Sequence, residues 1–235
     1  MTVDHRQFYE SRAAEYDALV AAEDADGRLA PALADRVPLA GADVLEIGVG
    51  TGRLTRLLAG AGARVVGCEP AAAMLAVARR HLAALPGASV ELHQATARAF
   101  DVGERRFDLA LAGWVFGHFV SWLPSGWRDE IGASLERMES ALRPGGALVV
   151  IETLGTGLTE PAPPTPGLAE YYAWLESERG MRRTALRTDY AFAGVEEAAQ
   201  VTGAFFGEDF AARVRQQSWS RVPECTGLWW RTVAG

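Results

Sequence analysis

Three glycines and one acid lie close together in the segment EIGVGTG, at Glu46, Gly48, Gly50 and Gly52. Glycines at this density let backbone N–H groups and a helix N-terminus approach a ligand closely. A buried strand is predicted directly before them, over DVLEIGV (43–49). Open α/β sheets bind their ligands at the carboxyl ends of parallel strands. The spacing therefore predicts a nucleotide-like ligand at this turn.

The charges around the turn indicate which ligand to expect. Dinucleotide sites use the pattern GxGxxG, and here Arg53 occupies the position of the third glycine. Glu46 would repel a pyrophosphate, whereas it suits a ligand with an ammonium or sulfonium charge. Glu69, which ends the next predicted strand, is placed to accept hydrogen bonds from two ribose hydroxyls, or else is a solvated acid. These residues together favour a sulfonium cofactor over a dinucleotide.

Strands alternate with helix-length segments around the turn. Strands are predicted over 43–49, 63–69, 89–95, 106–113 and 147–153, and helices over 52–62, 71–85 and 127–143. We expect Pro144-Gly145-Gly146 to end the last of these helices. Such alternation predicts right-handed crossovers and a mostly parallel sheet.

The pattern changes after residue 153. A proline-rich loop (159–167) precedes an aromatic, amphipathic segment (168–178), a strand (184–192), a helical stretch to about residue 217, and a closing strand (226–234). With no linker or repeat, we predict one domain over 1–235. Its parts are an N-terminal helical arm (1–35), a cofactor-binding core (36–153), an insert or lid (154–182), and C-terminal strands and helices (183–235).

The composition excludes several classes of protein. The net charge of −7 and the scattered arginines argue against a nucleic-acid substrate. No apolar run approaches the roughly 18 residues of a membrane span, and acids near the N-terminus argue against a signal peptide. Cys68 and Cys225 are predicted to be free thiols, and no His, Cys or carboxylate set has metal-ligand spacing. We therefore expect a cytoplasmic protein without a metal.

Four segments, in this order and spacing, resemble the class I S-adenosylmethionine-dependent methyltransferases: VLEIGVGTGRLT, VVGCEPAAAML, FDLALAGWVFGHF and LRPGGALVVIE. The resemblance covers about residues 9 to 153, and the closing strand agrees with it. It implies an α/β, Rossmann-like, doubly wound sheet of seven strands, six parallel and the last antiparallel. It also implies S-adenosyl-L-methionine as the cofactor, with a helical arm before the sheet and a small helical insert after the fifth strand.

The resemblance also implies roles for particular residues. The three glycines would lie against the methionine and ribose portions of the cofactor, with Glu46 near its amino group and Glu69 on the ribose. Arg12 would approach the cofactor carboxylate, and Thr96 or Gln94 would supply the side-chain contact to the adenine. The full set of expected cofactor-binding residues is Tyr9, Tyr16, Glu46, Gly48, Gly50, Gly52, Glu69, Pro70, Met74, Thr96, Ala97, Gly113 and Trp114.

Methyl transfer from a sulfonium is an in-line displacement, so it depends mainly on holding donor and acceptor together in a dry pocket. His118, on the predicted loop after the fourth strand, is the candidate catalytic base for an acceptor that must lose a proton; the alternative is a packing histidine in an aromatic cluster. Asp189, Tyr190 and Glu224 are further candidates for the acceptor side.

Two groups of aromatic residues are predicted near the acceptor. They are Trp114, Phe116, Phe119 and Trp122 after the fourth strand, and Tyr171, Tyr172 and Trp174 in the insert, where core packing is the alternative. They favour an apolar or aromatic small-molecule acceptor, methylated on oxygen, nitrogen or carbon, by a monomer or homodimer. The insert and the arm would form a lid that excludes water.

Two other functions remain open from the sequence. A catalytically silent protein that binds S-adenosylmethionine would carry the same glycine turn and the same two acids. A nicotinamide-dependent oxidoreductase on a related fold is disfavoured by Arg53 and by Glu46.

Overall fold

The computed structural model describes residues 5–234, and nine strands lie in that range. They are β1 (Asp43–Ile47), β2 (Arg64–Cys68), β3 (Ser89–His93), β4 (Phe107–Gly113), β5 (Leu142–Thr156), β6 (Arg182–Arg187), β7 (Tyr190–Ala191), β8 (Arg221–Val222) and β9 (Glu224–Thr232). Seven of them form one sheet in the order β3-β2-β1-β4-β5-β9-β6, and β7 pairs with β8 separately. The first four residues of the predicted arm and Gly235 lie outside the described range.

The strand directions confirm the expected sheet. Strands β3, β2, β1, β4 and β5 pair in parallel, and β9 is antiparallel to both β5 and β6. β6 therefore runs with the other five, which gives six parallel strands and an antiparallel last one. The chain order reverses between β1 and β4, and such a switch point opens a crevice at the carboxyl ends of the strands.

Ten helices lie in the described range. They are α1 (His5–Ser11), α2 (Ala13–Ala22), α3 (Leu29–Ala34), α4 (Arg53–Gly60), α5 (Ala72–Ala83), α6 (Phe116–Trp122), α7 (Trp127–Ser140), α8 (Pro166–Ser177), α9 (Val195–Phe206) and α10 (Glu208–Gln216). No helix among these residues is both long and apolar enough to cross a membrane.

The two faces of the sheet are buried by different helices because successive residues of a strand point to opposite sides. In β5, Leu148 and Val150 belong to the cluster that contains Ile131 of α7, whereas Val149 and Ile151 belong to the cluster formed with α3 and α4. Burial on both faces explains why the central strands are runs of apolar residues without alternation. This rigid sheet holds the carboxyl ends of β1, β2 and β4 in place.

The expectation for Pro144-Gly145-Gly146 was wrong. Helix α7 already ends at Ser140, and the three residues lie inside the start of β5. Along this strand, Phe107 pairs with Leu142 but Leu109 pairs with Ala147, so the extra residues form a bulge against β4. A bulge tolerates proline and glycine, since its residues leave the regular ladder of hydrogen bonds.

The aromatic side chains of the insert pack in the core, while Leu168 at the start of its helix lines a cavity. Thr165 caps its helix α8 by accepting a hydrogen bond from the backbone N–H of Leu168. Tyr171, Tyr172 and Trp174 are all buried in the largest hydrophobic cluster. Of the two interpretations of these aromatic residues, core packing is therefore the one that the structure supports.

We expect Trp229→Ala to lower the free energy of unfolding by about 3–5 kcal/mol. Trp229 is fully buried, its ring lies 4.5 Å from that of Tyr172, and its indole N–H donates to Glu176. Denaturation followed by far-ultraviolet circular dichroism measures the effect. Leu123→Ala, at an exposed position, is the control and should change the free energy by no more than about 0.5 kcal/mol. Equal effects for the two variants would refute the packing of β9 against α8.

Candidate active site

A cavity of about 390 Å³ lies at the carboxyl ends of β1, β2 and β4. Its wall contains His118 and every residue of the expected cofactor-binding set except Glu46 and Gly52, namely Tyr9, Tyr16, Gly48, Gly50, Glu69, Pro70, Met74, Thr96, Ala97, Gly113 and Trp114. Residues that sequence reasoning did not single out complete it, among them Cys68, Val115 and the ion pair of Arg98 with Glu130. The wall therefore combines residues of the N-terminal helices with residues at the ends of the central strands.

The glycine turn has a backbone that other residues could not readily adopt. Gly48 has a φ of +76°, and a Cβ atom built there would lie 2.2 Å from Cγ2 of Val115. The backbone N–H groups of Gly48 and Val49 both donate to the carbonyl of Cys68, at 2.9 and 3.1 Å. These bonds hold the turn against the end of β2, where its backbone forms part of the cavity wall.

Glu69 joins the glycine turn to the start of α5. Its Oε2 accepts a hydrogen bond from the N–H of Gly50 at 3.1 Å, and its Oε1 accepts one from the N–H of Ala71 at 2.9 Å. Burial raises the pKa of this carboxyl above its ordinary value, while the two N–H groups oppose that change. Each oxygen can accept a further bond, so the carboxylate can hold the two hydroxyls of a ribose while it holds the turn.

Glu46 points to the opposite side of β1 from the large cavity. It accepts a hydrogen bond from the hydroxyl of Thr55 on α4 at 2.7 Å, and burial raises its pKa to about 8. It lines a small cavity of about 30 Å³ beside Gly48 and Trp114, roughly the space of one water molecule. The cofactor amino group could reach Glu46 through this space.

Gly52 has a packing role in the structure. Its φ is +87°, and a Cβ there would lie 3.2 Å from the Cβ of Ala78 on α5. The third glycine of the turn thus permits close contact between the start of α4 and α5. Arg53, the next residue, contacts Glu23 and Trp114 instead.

The residues predicted near the adenine occupy one corner of the cavity. Pro70, Met74, Thr96 and Ala97 all line it. The hydroxyl oxygen of Thr96 accepts a hydrogen bond from the N–H of Ala99, so it also caps the turn that follows β3. Gln94, the other residue considered for this contact, donates to the carbonyl of Pro70 and is absent from the wall as described.

The N-terminal helices cover the cavity with two tyrosines. The rings of Tyr9 and Tyr16 are 5.2 Å apart in a T-shaped arrangement, and Tyr16 contacts the turn near Gly50. Burial raises the pKa of Tyr16 to about 12, so its phenol stays neutral. Arg12 does not approach the cavity as expected, because it forms an exposed ion pair with Glu15.

His118 lies on helix α6 and not on a loop as predicted. Sequence reasoning missed this helix because it is short and no side chain caps its N-terminus. Nε2 of His118 is 2.8 Å from the hydroxyl of Tyr9, and its ring stacks on Trp122 at 5.0 Å. The imidazole thus packs in an aromatic cluster and also lines the cavity, so the two interpretations of this residue are compatible.

A second cavity, of about 250 Å³, adjoins the first. Both are lined by Tyr9, Tyr16, Trp114, His118 and Trp122. The second cavity extends between α2, β5 and α9, where its wall includes Glu23, Glu152, Tyr190, Phe205, Phe206 and Glu224. Of the predicted acceptor candidates, Tyr190 and Glu224 lie here, whereas Asp189 forms ion pairs with Arg187 and Arg221.

Arg53 and Trp114 both line the second cavity, and Trp114 also lines the first. The guanidinium of Arg53 lies 4.1 Å from the ring centre of Trp114 and pairs with the carboxylate of Glu23. Trp114 has a φ of +54°, which is uncommon for an aromatic residue and directs its ring off the end of β4. In the sequence, Arg53 only argued against a dinucleotide site. Its ion pair with Glu23, 30 residues earlier in the chain, could not be predicted because no local pattern indicates it.

Two glutamates that line the second cavity have strongly shifted acidity. Burial raises the pKa of Glu152 to about 8, against the hydrogen bond that its Oε1 accepts from the N–H of Gly117. Burial and the nearby charge of Glu23 raise the pKa of Glu224 to about 8 as well.

Between residues 5 and 234, no group of three or more His, Cys, Asp or Glu side chains is arranged to hold a metal ion.

Comparison with known proteins shows which proteins the chain resembles. Residues 44–146 match the family model described as "Methyltransferase domain". The ubiquinone biosynthesis O-methyltransferases of Azorhizobium caulinodans and of a Bradyrhizobium strain are each 34% identical to this chain, over 62% and 58% of its length. The alignments cover 53% and 49% of those relatives, so the chain spans about half the length of the curated relatives it matches.

Solved structures show the same fold. The YcgJ protein from Bacillus subtilis superposes with a TM-score of 0.60 at 12% identity, over 89% of this chain and 99% of that one. A phosphoethanolamine N-methyltransferase 2 from Haemonchus contortus, solved with phosphomonomethylethanolamine and S-adenosylhomocysteine, gives 0.61 at 15% identity, over 99% of this chain and 59% of that one. The chain thus has the fold of S-adenosylmethionine-dependent methyltransferases, and its residues 44–146 resemble a methyltransferase domain.

Two observations indicate that the residues of this cavity fit S-adenosylmethionine. The glycine turn packs so closely against Val115 in the cavity wall that no Cβ fits at Gly48, and Glu69 lines the cavity with one backbone N–H on each oxygen and lone pairs to spare.

We expect Gly48→Ala to weaken binding of S-adenosylhomocysteine at least about tenfold, or about 1.4 kcal/mol. The added methyl group must displace Val115 and the turn. Gly87→Ala is the matched control, because Gly87 has the same φ of +76° but open space around its Cα. Both variants carry the backbone strain, and only Gly48→Ala carries the clash. Calorimetric titration measures the affinity, and equal losses in the two variants would refute the close approach.

We expect the free energy of unfolding to fall as the pH rises from about 5 to about 8. The pKa of Glu46 is about 8 in the folded protein, above its ordinary 4.5, so the folded state binds an extra proton that is lost over this range. One such group contributes at most about 1.4 kcal/mol per pH unit. Urea denaturation at several pH values measures the change of the unfolding free energy with pH. We expect this change to be smaller for Glu46→Gln and for Glu152→Gln than for the parent protein. Slopes equal to that of the parent protein would contradict the burial of an uncharged carboxyl.

Proposed function

We propose that the protein transfers the methyl group of S-adenosylmethionine to a small-molecule acceptor bound in the second cavity. The observation that carries this proposal is the pair of adjoining cavities, which share Tyr9, Tyr16, Trp114, His118 and Trp122. The first has the glycine turn and Glu69 that suit the cofactor. The second opens to the same five side chains, so an acceptor there would lie next to the methionine end of the cofactor.

The proposed role of the protein is to bind, orient and keep water out. The cofactor supplies an electrophilic methyl group on a positively charged sulfur. An acceptor held in line with that carbon would take the methyl group, while the electron pair of the broken carbon–sulfur bond would remain on sulfur. Such a displacement is accelerated by alignment of the reactants and by a dry site. Tyr9 and Tyr16, which cover both cavities, would exclude water.

His118 is the proposed base for an acceptor that loses a proton. Its ring lines both cavities, and its Nε2 is already engaged with the hydroxyl of Tyr9. Burial raises the pKa of Tyr9 well above its ordinary value, so the tyrosine stays protonated and can orient the imidazole. An acceptor proton would move to the histidine or, through this contact, along the Tyr9–His118 pair.

The wall of the second cavity favours an acceptor with an apolar or aromatic part. Trp114, Trp122, Phe205 and Phe206 supply flat apolar surfaces, and a volume of about 250 Å³ suits a small molecule. The relatives named for ubiquinone biosynthesis, as O-methyltransferases, support a ring-bearing acceptor and an oxygen as one possible site of methylation. Two buried free thiols, Cys68 and Cys225, favour a reducing compartment such as the cytoplasm.

Binding of the cofactor product tests the first half of the proposal. S-adenosylhomocysteine at 100 times its dissociation constant should add about 2.7 kcal/mol of stability, which corresponds to a rise in melting temperature of about 5–10 °C for a chain of this size. NAD should cause no rise. A rise with NAD, or none with S-adenosylhomocysteine, would overturn the proposal.

Turnover tests the second half. Methyl-labelled S-adenosylmethionine should label at least one member of a panel of small phenols, catechols and amines. For a phenol, His118→Gln should lower kcat about 10²- to 10⁴-fold, the usual contribution of a positioned base, while the thermal shift by S-adenosylhomocysteine is retained. A protein that binds the product but labels no acceptor would be a silent binder.

A further inference from the structure

The second cavity contains more negative than positive side chains. Glu23, Glu152 and Glu224 line it with relative exposures of 8%, 3% and 1%. Among the described residues of its wall, Arg53 is the one arginine, and it is paired with Glu23. Between residues 5 and 234, Glu152 and Glu224 have no ion-pair partner. A carboxylate in such a place lacks the countercharge that burial demands.

Two of these carboxylates each have a buried oxygen without a hydrogen-bond partner in the described part of the chain, Oε1 of Glu23 and Oε2 of Glu224. Oε1 of Glu224 accepts from the hydroxyl of Thr153 at 2.8 Å, and the nearby hydroxyl of Thr156 also favours its ionised form, but Oε2 is buried and has no donor in regular hydrogen-bond geometry within the described part of the chain. Buried polar atoms are nearly always paired, and an exception calls for an explanation. A ligand in the cavity with an N–H group would supply the missing donor.

The other walls suit a cation. Tyr16, Tyr190, Phe205 and Phe206 line the same cavity as the carboxylates. The faces of aromatic rings carry negative potential and attract ammonium groups within about 6 Å. Rings together with unpaired carboxylates are a combination that recognises an organic ammonium ion.

We infer that the acceptor carries a basic amino group, and that this group binds as its ammonium ion against Glu224, with Glu152 as the second countercharge. The inference rests on the proposed function, and it adds the chemical class of the acceptor. A neutral acceptor would leave the two groups as buried acids with no cation to stabilise their ionised form, and an anionic acceptor would oppose their ionisation. The aromatic walls that favoured an apolar acceptor accommodate the ring or chain that carries the amine.

The acidity of the two glutamates agrees with a site for a cation. Burial raises the pKa of both to about 8, so that in the free protein each carboxyl is largely protonated at neutral pH. A bound ammonium favours the ionised form and lowers these pKa values. Binding of an amine would thus replace bound protons with the cation of the ligand.

Three probes of nearly the same shape test the inference in protein saturated with S-adenosylhomocysteine. Tyramine carries an ammonium group, tyrosol carries a hydroxyl in its place, and 4-hydroxyphenylacetate carries a carboxylate. Calorimetric titration should show tyramine binding at least about tenfold more tightly than tyrosol, a difference of about 1.4 kcal/mol. The carboxylate should bind most weakly.

Three variants test which carboxyl group binds the ammonium group of tyramine. Glu224→Gln should abolish the preference for tyramine over tyrosol, because the amide keeps the shape and the bond to Thr153 but loses the charge. Glu152→Gln should reduce the preference. Glu139→Gln, which removes a carboxylate paired with Arg231 outside both cavities, is the control and should leave the preference intact. The thermal shift by S-adenosylhomocysteine, retained in each variant, shows that the fold is preserved.

The failures are distinguishable. Loss of S-adenosylhomocysteine binding in the parent protein would overturn the proposed function. Normal binding of S-adenosylhomocysteine with equal affinity for tyramine and tyrosol would overturn only the inference about the amine. A preference for tyramine that persists in Glu224→Gln would overturn the assignment of Glu224 as the anchor.

Discussion

The carboxylate of Glu69 is the interaction on which the site depends. It accepts hydrogen bonds from Gly50, in the glycine turn, and from Ala71, before α5, and it is nearly buried between them. A turn whose glycines have positive φ has little conformational preference of its own. Its shape is therefore held by contacts with β2, through Glu69 and through the carbonyl of Cys68. Whatever binds at the turn meets a backbone that is already in place.

The charges differ between the two halves of the site. In the cofactor half, Glu69 is compensated by backbone N–H groups and Arg98 by Glu130. In the acceptor half, Arg53 compensates Glu23, and two further carboxylates remain. The positive charge of the sulfonium would lie near the boundary between these halves. If either carboxyl ionises, its charge favours the ground state of the cofactor, so the rate advantage must come from alignment and from exclusion of water.

The parts of the molecule that the sequence predicted well depend on local spacing. The glycine turn, Glu69 and Met74 belong to consecutive elements of one βαβ unit, so that their order along the chain fixes their positions in space. Glu23, Arg53, Glu152 and Glu224 meet only because α2, α4, β5 and β9 converge, and no short pattern in the chain indicates that. Helix α6 was missed for a different reason. It has only seven residues and no side-chain cap, so the sequence shows neither a helical spacing of apolar residues nor a signal for its start. The aromatic residues of α8 were ambiguous because a ring is as suitable for a core as for a binding site.

The position of the N-terminal helices has a consequence for the order of events. Tyr9 and Tyr16 lie over both cavities at once, and α1 and α2 pack on α5 and α9, on either side of the site. Any displacement of this arm that uncovers one cavity uncovers the other. In the proposed reaction, the spent cofactor and the methylated product would then leave through the same opening.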